Sequence, residues 1–466
     1  MCQIFNFALE KSIFFKMSKD IKLKKGLNIH LYGEADKVYA NIPQSETFVV
    51  RPTDFHGMTP KLTVKEGDRV NAGSVLFFDK YNERVKFTSP VSGEVVSINR
   101  GAKRRIMEVV LEADAELKYE SFDKGLAADL NRTEIIETLL NSGVWPFIRQ
   151  KPFDVIANPD DMPKAIFIST FNTAPLAVDN DFVLHGMEKE FQKGLDYIAK
   201  LTEGTLHLNI DGNTNPSQVF INAKGVQINK IFGKHPAGNV GVQVHHIDPI
   251  NKGDVIWYLY PQDVIAIARL FTNGKYDASR IIALTGSQVS KPRYYRTIVG
   301  SSISHMVKNN LKEGDNRFIS GDVLTGTQIT SNGSLGFYDT QVSVIPEGNY
   351  NEFFGWLAPG FKKFSISRTF FSWLTPFKKY NLDTNYHGEE RAYVVTGDYE
   401  KVFPMDIYPM QLIKACMIED IERMESLGIY EVSTEDFALC EFICTSKIEV
   451  QNIIRQALDL VKKECN

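Results

Sequence analysis

Short apolar runs separated by turn residues fill the first quarter of the chain. Val75-Leu76-Phe77-Phe78 is a continuous apolar run of strand length, and it follows Lys65-Glu66-Gly67-Asp68-Arg69-Val70-Asn71-Ala72-Gly73, where Gly and Asp make a tight turn. Ser89-Pro90-Val91-Ser92-Gly93 is a second turn, with Pro presetting φ and Gly free to take positive φ, and Glu94-Val95-Val96-Ser97-Ile98 alternates as a half-buried strand does. The rhythm then changes. Residues 131–140 (NRTEIIETLL) read as a helix with Asn or Thr at its start and Asn141-Ser142-Gly143 as its stop. Strand patterns at 164–169, 205–210, 218–221 and 242–248 alternate with amphipathic helices at 188–201 and 262–271. Farther on come strands at 280–286, 294–299 and 317–321, with a short helix at 304–309 between the last two. The remainder is aromatic-rich from about 351 and then helical, with 410–427 and 435–463 as the long candidates.

Together these elements predict an α+β multidomain chain. The opening hairpins resemble a biotinyl/lipoyl-like barrel-sandwich hybrid. In lipoyl domains an Asp-Lys pair tops the hairpin and the lysine carries the cofactor; Asp79-Lys80 imitates the pair but stands farther from the Ser-Pro turn, so Lys80 reads as an ordinary surface lysine. The βα alternation implies a Rossmann-like, doubly wound α/β domain. The strand, strand, helix, strand order after it fits a ubiquitin-like β-grasp. The expected boundaries are 1–17 as an extension or mis-called start, 18–110 for the sandwich, 111–275 for the α/β domain, 276–350 for the β-grasp (SLBB) domain, and 351–466 for the aromatic segment and helical domain.

At 466 residues, 43% hydrophobic and 24% charged, the chain has ample material for several cores. The net charge of -4 is spread over mixed-sign segments, and Lys103-Arg104-Arg105 is too small a basic footprint for nucleic acid. No apolar run approaches the ~20 residues of a spanning helix. Five cysteines, Cys2, Cys416, Cys440, Cys444 and Cys465, do not make a disulfide framework in a chain this long, which points to a reducing compartment. The first 16 residues lack a continuous apolar stretch and a cleavage site, making a poor signal peptide, and Met17 is an alternative start.

Candidate chemistry is sparse. The Gly233–Gly241 stretch could bring backbone N–H groups near a phosphate or a quinone head group, but it is neither a G-x-G-x-x-G nor a Walker loop, and a strand is expected to follow it. His245 and His246, adjacent on that strand, would face opposite ways and could not share a metal ion. Cys440 and Cys444 lack the spacing of a cluster or zinc motif and read as core cysteines. Phe353, Phe354, Trp356, Phe370, Phe371 and Trp373, flanked by lysines, suit a membrane interface, a protein partner or a small C-terminal core. No catalytic triad or paired-carboxylate motif stands out, so no catalytic residue is assigned.

The order of parts resembles the NqrA family, which supplies one of the subunits of the Na⁺-translocating NADH:quinone oxidoreductases. The resemblance runs from Ser18 onward, through Phe87–Gly93, Ile98–Gly101, Trp145–Asp154, His235–Gly238, Ile319–Gly321 with Val323-Leu324, Gln341–Gly348 and Tyr399–Ile407. It implies a peripheral subunit on the cytoplasmic face of the bacterial inner membrane, in a six-subunit complex that oxidises NADH, reduces ubiquinone or menaquinone, and exports Na⁺. FMN, FAD, riboflavin and iron centres are then expected on partner subunits, including membrane subunits, with no cofactor on this chain. The family is also similar to the NADH-oxidising subunit of respiratory complex I, whose flavin loop would fall at Ser142–Phe147. There Trp145 and Phe147 obstruct the close backbone approach that a flavin phosphate needs. If the vacated cleft takes a quinone, Trp145, Phe147, Arg149 and His235 are the expected binding residues. A self-sufficient flavin enzyme and a lipoyl-type carrier are the alternatives.

Overall fold

Every residue of Ala165–Ser169 is buried, as an apolar strand covered on both faces must be. In the computed structural model, which describes residues 18–355, 357–375 and 377–465, this strand lies at the centre of a seven-stranded sheet. The strand order is Asp20–Lys22, Gln227–Phe232, Thr205–Asp211, Ala165–Ser169, Ile256–Leu259, Arg149–Lys151 and Val155–Ile156. The first five are parallel, Arg149–Lys151 runs antiparallel to them, and Val155–Ile156 antiparallel to Arg149–Lys151. Period-2 alternation sorts the side chains: Ile166, Ile168, Leu208 and Leu259 share a core with Phe191, Leu195 and Val264 of helices Glu188–Ile198 and Pro261–Asn273. Phe167, Ile231 and Tyr258 share another with Val240 and Val244 of helix Val240–Ile247.

That last helix corrects the expected strand at 242–248, because Asn239 leaves the Gly-rich loop extended and the chain turns helical at once. Residues 218–221 are likewise a short helix, capped by the Ser217 side chain, and the strand comes later at Gln227–Phe232. The helix before the sheet runs Arg132–Ser142 with a capping box between Asn131 and Glu134. It ends at Gly143, whose φ of 75° and close approach to the Thr88 side chain leave no room for a Cβ.

The barrel-sandwich pairs a sheet of Thr47–Val50, Ile106–Ala113, Gly93–Arg100 and Arg69–Val70 with one of Pro60–Leu62, Val75–Asp79 and Asn82–Thr88. The β-grasp sheet has the order Thr327–Ile329, Asn316–Ser320, Gln341–Pro346, Ser279–Thr285, Arg293–Ile298, with Asp36–Ala40 added at its edge. Two N-terminal strands thus belong to other sheets: Asp20–Lys22 to the α/β sheet and Asp36–Ala40 to the β-grasp sheet. The C-terminal helices are shorter than the pattern suggests. Glu419, at φ 55°, and the Asp420 cap divide Pro409–Met417 from Ile421–Ser426, while Ala438–Ile443 ends before Val450–Cys465 begins. Residues 1–17 and Trp356 lie outside the described residues.

Candidate functional site

Arg149 and Lys151 stand two apart on an edge-side strand and share a face; Tyr258 and Tyr260 do the same on the neighbouring stretch, with Arg149 in register with Tyr258. The half-buried Arg149 guanidinium consequently lies 4.6 Å from the Tyr258 ring centroid and 5.2 Å from that of Tyr260, and Tyr338 of the β-grasp domain adds a third ring at 4.5 Å. Burial opposes the charge on Arg149, but the oxygens of Tyr260, Asp154, Tyr338 and Glu435 outweigh it and raise its pKa. The Tyr258 hydroxyl donates to Asp154. Lys151 is 1% exposed, and its Nζ has no hydrogen-bond partner among the described residues. Glu435, from the C-terminal domain, keeps one buried carboxylate oxygen likewise unmatched; burial pushes its carboxyl up to about 7 against the pull of Lys151.

Phe147 backs this cluster through Phe337 and Tyr338, whereas Trp145 packs at the opposite face of the sheet, and both are themselves sealed. The Trp145 indole N–H donates to the Ala157 carbonyl at 2.8 Å, and its ring meets Trp257 edge to face. Phe147 stacks on Phe337 at 4.8 Å, Phe337 packs against Phe55 of the sandwich, and the Tyr338 hydroxyl donates to the Pro146 carbonyl. Three domains meet at these rings. The pair Arg280 and Asp263, 2.8 Å apart and buried, fixes the β-grasp sheet to helix Pro261–Asn273 beside them.

His235 lies elsewhere, in the Gly-rich loop beyond Gln227–Phe232. Its Nδ1 pairs with the Thr173 hydroxyl at 3.1 Å, its backbone N–H donates to Asn28, and its buried Nε2 has no partner among the described residues. Burial lowers its pKa to about 4, so the imidazole is neutral at pH 7. Asn239, at the end of the same loop, connects the two places: its Nδ2 donates to the Glu435 carbonyl at 3.1 Å and to the Asp436 carboxylate at 3.3 Å. The loop does open a helix, as an anion-binding turn does, but Asp436 stands at that helix start. A Cβ on Gly241 would collide with the Asp436 carboxylate, so a phosphate arriving there would meet a negative charge already in its place.

The aromatic segment has the opposite surroundings. Phe353 is 91% exposed, and Phe354, Phe371 and Trp373 are exposed too, with Phe370 half-buried beneath Lys363.

Comparison with known proteins decides the family. Family models match in three places: the NqrA N-terminal barrel-sandwich hybrid domain at residues 21–114, the NqrA second alpha/beta domain at 130–276, and the NQRA C-terminal (SLBB) domain at 281–331. The NqrA subunit of the Na(+)-translocating NADH-quinone reductase of Neisseria meningitidis is 39% identical over 449 residues, covering 95% of this chain and 100% of that protein. Its counterpart from Photorhabdus laumondii is 38% identical over 447 residues, covering 95% of this chain and 100% of that protein. The chain belongs to the NqrA family of Na⁺-translocating NADH-quinone reductase subunits. An NAD⁺-reducing [NiFe]-hydrogenase structure aligns at a TM-score of 0.38 and 11% identity, over 74% of this chain and 67% of that one, a likeness too slight to inform function.

Within this NqrA-family chain, the remaining sequence candidates are structural. His245 and His246 lie on a helix, and their partners differ: His245 pairs with Glu431 at 2.7 Å and accepts the Asp406 N–H, while His246 Nε2 bonds the Pro404 carbonyl. Both tie the C-terminal domain to the α/β domain. Cys440 and Cys444 are buried in the helical core, and burial raises the Cys440 thiol well above its ordinary pKa. Among the described residues no cluster of three His, Cys, Asp or Glu could hold a metal ion, and no helix is long and apolar enough to cross a membrane. Lys80 and Tyr81 form the exposed two-residue tip between Val75–Asp79 and Asn82–Thr88. Lys151, Tyr258, Tyr260, Tyr338 and Glu435 are not among the sequence candidates. The i, i+2 spacing of Arg149 with Lys151 and of Tyr258 with Tyr260 is a usable signal; nothing local marks Tyr338 or Glu435.

Proposed function

We propose that this chain is a peripheral subunit on the cytoplasmic face of a six-subunit complex that passes electrons from NADH to ubiquinone or menaquinone and exports Na⁺, and that it contributes quinone binding and assembly. The observation that carries the quinone reading is the Arg149 guanidinium enclosed by three tyrosine rings, with the unmatched Lys151 ammonium on the same strand face. A quinone is a flat ring with two carbonyls, and it calls for aromatic walls and a few donors. Phe147 backs the wall through Phe337, Trp145 braces the other face of the same sheet, Arg149 and Lys151 supply fixed donors, and the neutral His235 with its spare Nε2 stands at the far side of the Glu435–Asn239 link. As a carbonyl gains electron density, the fixed positive charge of Arg149 stabilises it.

FMN, FAD, riboflavin and iron centres are assigned to partner subunits. The resemblance to the NADH-oxidising subunit of complex I puts a flavin-phosphate turn at Ser142–Phe147, and the buried bulk of Trp145 and Phe147 there supports the reading that no flavin is held by this chain. The aromatic segment at Phe353, Phe354, Trp356, Phe370, Phe371 and Trp373 serves docking.

Titrating ubiquinone or menaquinone against the tryptophan fluorescence of the purified full chain tests the reading. Saturable quenching, weakened at least about tenfold in Arg149→Ala by loss of a charge-assisted contact, is expected. Absence of saturation, or unchanged affinity in that variant, would count against it. A flavin absorption band in the purified chain would instead favour a self-sufficient enzyme, and an added mass on Lys80 a carrier.

A further inference from the structure

Residues 353–379 contain nine aromatic and five basic side chains and no Asp or Glu, in a chain whose net charge is -4. Acid-free stretches also occur at 212–247 and 278–312, but neither carries an exposed aromatic ring, so it is the combination of rings and cations that sets this run apart. Its root is firmly tied: Tyr380 exchanges backbone hydrogen bonds with the 30–32 stretch, and Phe364 packs on Tyr380 and on Phe442 of the helical core. Its tip is folded on itself, with the Phe371 N–H on the Pro359 carbonyl, the Lys363 N–H on the Gly360 carbonyl and the Lys378 ammonium on the Phe361 carbonyl. The exposed rings therefore belong to an ordered loop, yet Phe353 and Phe377 are more than nine-tenths exposed, and Phe361, Phe371, Trp373 and Leu374 are about half exposed. Soluble surfaces rarely keep such a patch without a use.

We propose that this loop is a membrane-surface anchor whose partner is a bilayer containing anionic phospholipid. The proposal rests on the docking reading above and commits it to lipid. Protein interfaces are depleted in lysine, whereas here Lys362 and Lys378 stand among the rings. Phe and Trp side chains settle at the boundary of headgroups and acyl chains while lysine and arginine reach back to the phosphates. Lys379, at the end of the loop, lines a cleft of about 740 Å³ together with Lys22, Lys24 and Lys234, where the lysines outnumber the acids Glu34, which pairs with Lys379, and Asp211. A carboxylate in the run would be repelled by an anionic surface.

Flotation of the purified full chain with vesicles tests this. The chain should float with phosphatidylcholine vesicles that contain phosphatidylglycerol, fail to float with phosphatidylcholine alone, and release as salt rises. F353S/F371S/W373S and K362E/R368E/K378E should each lower the membrane partition coefficient at least about tenfold, the first by removing the inserted rings and the second by reversing three attractions to the anionic surface. All six positions are solvent-facing or partly so, and an unchanged thermal midpoint establishes that both variants fold. No flotation of the parent chain, or flotation indifferent to both triple variants, overturns the proposal. So does loss of assembly with membrane subunits in detergent when vesicle binding is intact, since that puts a protein on the loop. Quinone titration in lipid-free buffer separates the two readings: it should be unchanged in both variants, and its failure in the parent chain would leave the flotation result standing.

Discussion

Two regions of this molecule combine aromatic rings with cationic side chains, and they dispose of them in opposite ways. Around Arg149, three tyrosine rings within 4.5 to 5.2 Å enclose one guanidinium, with Asp154 and Glu435 close enough to hold its charge. In the 353–379 loop, Arg368 lies over a single ring, that of Trp373 at 5.4 Å, and Lys362 stands exposed. The difference is one of neighbours. Where three domains converge, water is excluded and each charge needs an internal counterpart. Where only one loop folds over itself, rings and cations remain available to an outside surface.

The sharpest way to break this comparison is to cut the same side chain in both regions. Trp145→Ala removes a fully buried indole and its hydrogen bond to Ala157 and should cost about 3–5 kcal/mol, read as a lower urea midpoint. Trp373→Ala should stay within about 0.5 kcal/mol of the parent. Equal effects would mean that the two regions do not differ as described. Ion pairs give a second contrast. Arg280→Met leaves Asp263 buried without its partner and should cost about 3 kcal/mol or more. Lys363→Met, in the loop and opposite Glu352 just before it, should cost about 0–1 kcal/mol.

A smaller effect comes from pH, and its sign differs between two groups on the buried side. Burial raises Glu435 from 4.5 to about 7, so the folded state holds its proton more tightly; the stability it contributes is full below 4.5 and is lost as pH rises through 7. Burial lowers His235 from 6.5 to about 4, so its contribution is present above 6.5 and is lost as pH falls through 4. Between 4.5 and 6.5 the two slopes oppose. Glu435→Gln should flatten the decline toward neutral pH, and His235→Gln should flatten the decline on the acid side, both measured as urea midpoints across pH. Neither loop triple variant should alter either slope.

Much of the fold is legible because it is written in local pattern. The apolar run at 164–169, the capped helix after Asn131 and the Gly274 stop after helix Pro261–Asn273 all depend on neighbours within a few residues. Expectation and structure part where local patterns are ambiguous. Val242-Gln243-Val244 suits a strand or a helix by composition, and packing of Val240 and Val244 against Phe167 and Tyr258 selects the helix. Of the four quinone candidates, Phe147 reaches the Arg149 cluster through Phe337 and Tyr338, Trp145 packs on Trp257 at the other face of the sheet, and His235, placed by a loop 86 positions after Arg149, meets the cluster through Asn239 and Glu435.

The amino-acid sequence by itself determined the periodicities, the turns and caps, the acid-free aromatic run and the family to which the chain belongs, because these are properties of adjacent residues or of their order. Tertiary structure alone decided that Asp20–Lys22 and Asp36–Ala40 extend two different sheets, that Tyr338 and Glu435 close on Arg149, that Asp436 stands at the start of helix Val240–Ile247, and that the rings at 145–147 are sealed while those of Phe353, Phe371 and Trp373 face outward. A three-residue strand or a single carboxylate carries no local signal of its partner. Its place is set by which surfaces are left open when the larger cores have formed, a balance of burial and desolvation summed over the whole chain.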